Sequence, residues 1–244
     1  MTDRDHDRFS LIGHADMAFM NPLRENELAL LLANVALDDA SHVLDLCGGR
    51  ADLSRAIAAK TGCEATSVDL SAQACREASL RAADFRVNVV CSDVRAFLES
   101  DLKRYTLALC VGGTHAFGTG VEAWKETLHQ LKARASLNLI GDLVALSDEA
   151  ARAFEIPTLR ELEALPELAA SKAPLVLDAA RVEAYERAWC ASVARFLDAH
   201  PDDPRAAWGR QRIAWTDAPA LCEARAQLAF ALWVVDAKTA NPPL

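Results

Sequence analysis

Gly48 and Gly49 close an apolar run, His42-Val43-Leu44-Asp45-Leu46-Cys47, and lead into a helix-forming stretch from Arg50 to Lys60. Glycines at such a strand-to-helix turn let the backbone bend tightly and come close to a ligand. Asp69 ends a second apolar stretch, Glu64 to Asp69, at the position where ribose hydroxyls are held in folds of this kind. Asp93 follows a third, Val87 to Cys91, within reach of an adenine edge. Any one of these is weak; together they fall, in order, on the carboxyl edge of one sheet. A pyrophosphate is a poor fit, because Asp45 would repel it and the dinucleotide glycine spacing is missing.

His115 stands in Gly112-Gly113-Thr114-His115-Ala116-Phe117-Gly118. Histidine is the side chain best suited to proton transfer near neutral pH, and the flanking glycines allow the backbone to bend towards a ligand. The plain alternative is a histidine that holds its loop by a backbone hydrogen bond. Asp142 is placed to orient His115, to bind a cationic amine or to cap a helix. His14, in Gly13-His14-Ala15-Asp16, precedes the first helix and is placed to fold over the site or to sit in solvent. Tyr185 and Trp189 lie four apart on one helix face, as substrate wall or as core.

The elements that position these residues alternate. Helical stretches at 24–36, 50–60, 71–83, 95–102 and 121–134 separate strands at 42–46, 64–69, 87–91, 105–111 and 136–140. That rhythm predicts a parallel sheet with right-handed crossovers. Beyond Asp142 it changes. Two short helices are expected over 148–170, broken at Pro157 and Pro166, then a strand near 174–178 and a long helix at 181–199. A further helix is expected within 206–225, and a closing strand over 227–236. The whole chain reads as one domain, 1–244: an N-terminal cap and first helix to 37, a core over 38–142, and a helical lid over 143–226.

With 244 residues, 52% apolar, the chain can bury a core without disulfides or metal. Its formal charge of −9 argues against the phosphate attraction that drives nucleic-acid binding. No apolar run approaches the roughly 20 residues of a membrane helix. The opening MTDRDHDRFS has no signal-peptide pattern, so a cytoplasmic protein is expected. Seven cysteines without a CxxC pair predict neither a zinc site nor a disulfide framework. Cys63, Cys91 and Cys110 read as small apolar fillers in strands, and no metal site is expected.

HVLDLCGGRADLS, TSVDLS and CSDVRAF, together with GHADMAFMNPL, YTLALCVGGTHAFG and HPDDP, resemble class I S-adenosylmethionine-dependent methyltransferases, and within them a bacterial small-molecule subgroup. The resemblance runs from about Gly13 to Val235. It implies a Rossmann-like, mostly parallel seven-stranded sheet with a lid after strand five. It also implies S-adenosylmethionine as cofactor, bound by Asp45, Cys47, Gly48, Gly49, Asp69, Leu70, Asp93, Val94 and Val111. The implied activity is methyl transfer to nitrogen or oxygen of a small molecule. His115 and Asp142 are then the catalytic candidates, and His14, Tyr185 and Trp189 the substrate-side ones. Where the family pattern has three spaced glycines, only Gly49 matches, because Cys47 and Ala51 replace the outer two. An alanine needing a positive φ there would be strained. A non-catalytic cofactor-binding module is therefore the alternative. A nucleic-acid methyltransferase is disfavoured by charge and by the missing Asn-Pro-Pro-aromatic motif after strand four.

Overall fold

The computed structural model describes residues 10–33 and 35–237; the opening stretch to residue 9, including most of MTDRDHDRFS, lies outside them. The elements are α1 (Glu25–Leu32), β1 (His42–Leu46), α2 (Asp52–Thr61), β2 (Glu64–Asp69), α3 (Ala72–Arg81), β3 (Val87–Cys91), α4 (Val94–Ser100) and β4 (Tyr105–Val111). A 3₁₀ turn, Thr114–Phe117, precedes α5 (Gly120–Arg134) and β5 (Ala135–Ala145). Then come α6 (Asp148–Phe154), α7 (Leu159–Glu163), α8 (Pro166–Ala169), β6 (Leu175–Leu177), α9 (Ala179–Ala199), α10 (Ala206–Thr216), α11 (Pro219–Arg225) and β7 (Leu228–Asp236).

One seven-stranded sheet runs β3-β2-β1-β4-β5-β7-β6. All pairs are parallel except those of β7, which is antiparallel to β5 and β6. The strands are apolar on both faces because both are covered. On one face Val43, Leu107, Leu109, Leu139, Phe230 and Leu232 pack with α1 and α2 residues such as Leu28 and Ile57. On the other, Leu44, Ala108, Ile140, Trp233 and Val235 pack with Trp124, Leu128 and Leu131 of α5. Trp124 meets Trp233 edge-on, with centroids 5.5 Å apart.

Several expected elements have different limits. The first helix ends at Leu32. β5 runs on to Ala145, because Gly141 and Asp142 lie inside the ladder opposite Leu232 and Ala231. A Cβ on Gly141 would lie 2.7 Å from Leu232 Cγ, so this glycine makes room for β7 instead of ending the strand. Three short helices, not two, cover 148–169, and the expected 206–225 helix is two, restarted with Pro219 in its first turn. Cys91, expected as filler, is exposed, whereas Cys63 and Cys110 are buried.

The segment 143–226 does not form one layer over the strand ends. Its first residues belong to β5, and β6 is an edge strand. Leu162, Leu165 and Leu168 of the α7–α8 region pack beside α5 on one face, while Ala150 of α6 joins the opposite core. α9 and α10 form a satellite core, Val193, Leu197 and Ala206, with Ile12 and Trp189 packed against it. These last two helices reach the N-terminal segment that walls the site.

Candidate functional site

The sheet order reverses direction between β1 and β4, and ligand crevices in open α/β sheets lie at such points. A cavity of ≈ 350 Å³ opens there. All nine residues expected on the cofactor side line it: Asp45, Cys47, Gly48, Gly49, Asp69, Leu70, Asp93, Val94 and Val111. His115 lines it too, itself exposed, on the 3₁₀ turn after β4. No lysine or arginine lines it among the described residues.

The loop after β1 is left-handed at alternate residues: φ is 58° at Cys47, 56° at Gly49 and 58° at Ala51. Non-glycine residues pay for that conformation. The Cys47 side chain fits there because Gly113 is bare: a Cβ on Gly113 would lie 2.5 Å from Cys47 Cβ. Gly48 has no room for a side chain either, since a Cβ would lie 2.1 Å from Ser67 Oγ. The loop is tied to β2 through Asp69. Its Oδ2 accepts from Gly49 N at 2.8 Å and its Oδ1 from Ser71 N at 2.8 Å. The carboxylate is thus fixed by backbone donors while still lining the cavity.

Asp93 accepts from Arg95 N (2.9 Å) and Ala96 N (3.2 Å) through Oδ1, so it caps α4 as well as facing the cavity. Asp45 is only 2% exposed and accepts from Ser54 Oγ at 2.7 Å. Burial pushes its carboxyl up to about 7, and the Asp69 charge acts in the same direction.

Asp142 does not line the cavity. Its Oδ2 accepts from Thr114 N (3.0 Å) and Thr114 Oγ1 (2.6 Å), and its Oδ1 from Leu143 N (2.8 Å). It therefore anchors the 3₁₀ turn beside His115, with no hydrogen bond to His115 among the described residues.

His14, Tyr185 and Trp189 also stand outside the lining, directly behind it. His14 is 7% exposed, and its pKa falls to about 4 chiefly because burial disfavours the imidazolium. The neutral ring donates from Nδ1 to Ser10 O at 2.5 Å. Nε2 then accepts from Tyr185 O–H at 2.5 Å, and that same hydroxyl lies 3.1 Å from Met20 O. Trp189 packs flat on Gly13, where a Cβ would lie 2.0 Å from the indole nitrogen. These three residues fasten the segment that supplies Ser10, Leu11, Met20 and Asn21 to the cavity.

Sequence reasoning missed that segment's lining residues and, behind them, Arg50. An arginine within a turn of small residues, two before Asp52, was the available signal. Asn21 is 7% exposed, and its Oδ1 accepts from Leu23 N at 3.0 Å, so its amide nitrogen has no protein partner among the described residues. The carboxyl groups of Asp45, Asp69 and Asp93 thus share one cavity with His115 and Asn21. A ligand with hydroxyl donors and a positive centre fits such a set, whereas an anion does not. Among the described residues no group of histidine, cysteine and carboxylate side chains could hold a metal ion.

Residues 43–135 match the model of the methyltransferase domain family. Among solved structures the chain is similar to YjhP from E. coli, with 22% identity, a TM-score of 0.77, and 94% of this chain and 99% of that chain covered. It is similar to a SAM-dependent methyltransferase from Geobacter sulfurreducens solved with S-adenosyl-L-homocysteine, at 23% identity and a TM-score of 0.77, covering 93% and 97%. A SAM-dependent methyltransferase from Thiobacillus denitrificans, also with S-adenosyl-L-homocysteine, gives 22%, 0.77, 93% and 97%. No curated protein sequence matches the chain. At these identities the structural likeness speaks for the fold.

Proposed function

We propose that this chain, whose residues 43–135 match the model of a methyltransferase domain, moves a methyl group from S-adenosylmethionine to nitrogen or oxygen of a small-molecule acceptor. The observation that carries the reading is the cavity between β1 and β4, rimmed by His115 and lined by Asp45, Asp69 and Asp93, with no lysine or arginine among the described residues. Two of the solved relatives hold S-adenosyl-L-homocysteine, which supports S-adenosylmethionine as the cofactor here. Bound, it supplies an electrophilic methyl on a sulfonium.

The residues of the chain then do the rest. Asp69, pre-set by Gly49 N and Ser71 N, keeps lone pairs for ribose hydroxyls. Asp93 would hold the base, and Asp45 would turn an oxygen to a positive group at the loop. Positioning supplies much of the rate of an in-line transfer. His115 holds the acceptor or takes its proton, and general-base help is worth about 10²–10⁴-fold. Asp142 keeps that turn in place through Thr114. No helix among the described residues is long and apolar enough to cross a membrane.

Transfer of labelled methyl to a panel of amines, phenols, acids and RNA tests the reading, run beside calorimetry with S-adenosylhomocysteine. Asp69→Ala should weaken cofactor binding by about 1.5–3 kcal/mol, as loss of a hydrogen bond to a charged group does. His115→Ala should lower turnover with cofactor affinity kept within about threefold, roughly 0.65 kcal/mol. Equal affinity in Asp69→Ala would remove the ribose assignment. Binding without transfer to anything would make the chain a cofactor-binding module, and transfer to RNA alone would move the acceptor class.

A further inference from the structure

Arg50 follows Gly49 in the cofactor-side loop, yet it is 0% exposed. A buried guanidinium must have its donors satisfied, and its planar fork can serve two directions at once. One edge stays within the loop, with Nε and Nη2 donating to Asp52 Oδ2 at 3.0 and 2.8 Å. The other edge leaves it, with Nη1 donating to His14 O at 2.8 Å and Nη2 to Met17 O at 3.0 Å. Those carbonyls lie 36 and 33 residues back in the chain. They belong to the strap that carries Ser10 and Leu11 on one side of them, and Met20 and Asn21 on the other, into the cavity.

The two walls also touch directly. Gly49 is at φ +56°, and a Cβ on it would lie 2.7 Å from Met20 Sδ. The strap's second anchor comes from elsewhere in the fold, where the Tyr185 hydroxyl of α9 donates to His14 Nε2 at 2.5 Å. Arg50 thus ties the strap to the loop, and Tyr185 ties it to the helices beyond.

We propose that Arg50 is a positioning residue that couples the two walls, so that a cofactor seated on the loop orders the strap and with it Met20 and Asn21 on the acceptor side. This rests on the cofactor reading above. The loop holds three left-handed residues and meets the cavity at Gly49, whose N–H is held by Asp69 Oδ2, so a ligand packed there bears on the residue before Arg50 and narrows the conformations of both. A narrowed loop fixes the guanidinium, and the fixed guanidinium fixes two strap carbonyls. Coupling of this kind is reciprocal, so an acceptor resting on the strap strengthens cofactor binding by the same factor.

Hydrogen exchange on the full chain, with and without saturating S-adenosylhomocysteine, tests it. In the wild type, amides at 11–21 should slow at least about fivefold on binding, together with those at 45–53 and 69–71. In Arg50→Lys, which keeps a charge beside Asp52 but not the fork, the loop amides should still slow while the strap amides do not. In Tyr185→Phe the ligand-dependent slowing of the strap should persist. Were Arg50→Lys not to fold, Arg50→Met, which leaves Asp52 paired with Arg55 at 3.1 Å, is read in the same way. A strap indifferent to bound ligand in the wild type, or equally protected by it in the Arg50 variants, overturns the proposal. Calorimetry separates the other failure: no binding of S-adenosylhomocysteine by the wild type sinks the cofactor reading, and this inference with it.

Discussion

Ala51 is held at φ 58°, ψ 30° at the N-cap of α2, with none of its surface exposed. A left-handed L-residue costs about 1–2 kcal/mol. Glycine would relieve that, but it would lose about 0.8 kcal/mol of methyl burial and about 0.4–1 kcal/mol to unfolded-chain entropy. The terms nearly cancel, so Ala51→Gly should stay within about 1 kcal/mol of wild type. Ala58, buried in the middle of α2, has no strain to release. There the helix cost of glycine, about 1 kcal/mol, adds to the lost methyl, and Ala58→Gly should lose about 2 kcal/mol. Urea midpoints of the two variants check this, and equal losses would mean that Ala51 stores no strain. Residue types announced the acidic side of the site because Asp45, Asp69 and Asp93 each end or follow a strand, a local pattern. Arg50 and Asn21 were not legible that way. What makes Arg50 matter is a carbonyl 36 residues away, and what makes Tyr185 matter is a ring 171 residues away.

At the scale of elements, the strands were readable because a buried strand is a short apolar run between turn residues. The limits that misled were those where a turn residue does something else. Gly141 clears space for Leu232, and Asp142 spends its carboxylate on Thr114 and Leu143, so β5 runs through both. The helices after β5 were legible as helices but not as layers, since amphipathicity gives a face and not its partner. The contact between the helical residues 10–13 and α9 is one such pairing. Trp189 lies against Gly13 and has the Arg212 guanidinium 5.5 Å from its ring centroid on α10. A methyl on Gly13 would fall 2.0–2.3 Å from three ring atoms of a packed indole. Gly13→Ala should therefore cost about 1–3 kcal/mol by overpacking. Exchange of amides in 10–21 and in α9 should rise while β1 and β4 stay protected. If shortening the ring with Trp189→Leu in the same chain fails to restore protection at 10–21, the clash is not the cause.

Across the whole molecule, two buried titrating groups, one in the loop wall of the cavity and one in the strap behind it, pull stability in opposite directions with pH. Asp45 faces Ser54, Asp52 and Asp69, and its pKa is raised from 3.8 to about 7, chiefly by burial. Between those values the native chain keeps a proton that the unfolded chain has lost, so this group makes stability fall as pH rises through the window. His14 faces Ser10 O, Tyr185 and Arg50, and its pKa is lowered from 6.5 to about 4, again chiefly by burial. There the unfolded chain holds the extra proton, so stability rises with pH through the window and is fully present above 6.5. Each group contributes a slope of up to about 1.4 kcal/mol per pH unit. From about pH 4.5 to 6 the two oppose each other, and the wild-type profile should be nearly level there. Asp45→Asn keeps a partner for Ser54 but removes one titration. Its stability should rise by about 1 kcal/mol per pH unit over the same interval, the unopposed contribution of His14. Urea unfolding of both chains at pH 4.5, 5.25 and 6, all within the window these two shifts define, measures the difference, and parallel profiles would mean that Asp45 is charged in the native protein throughout.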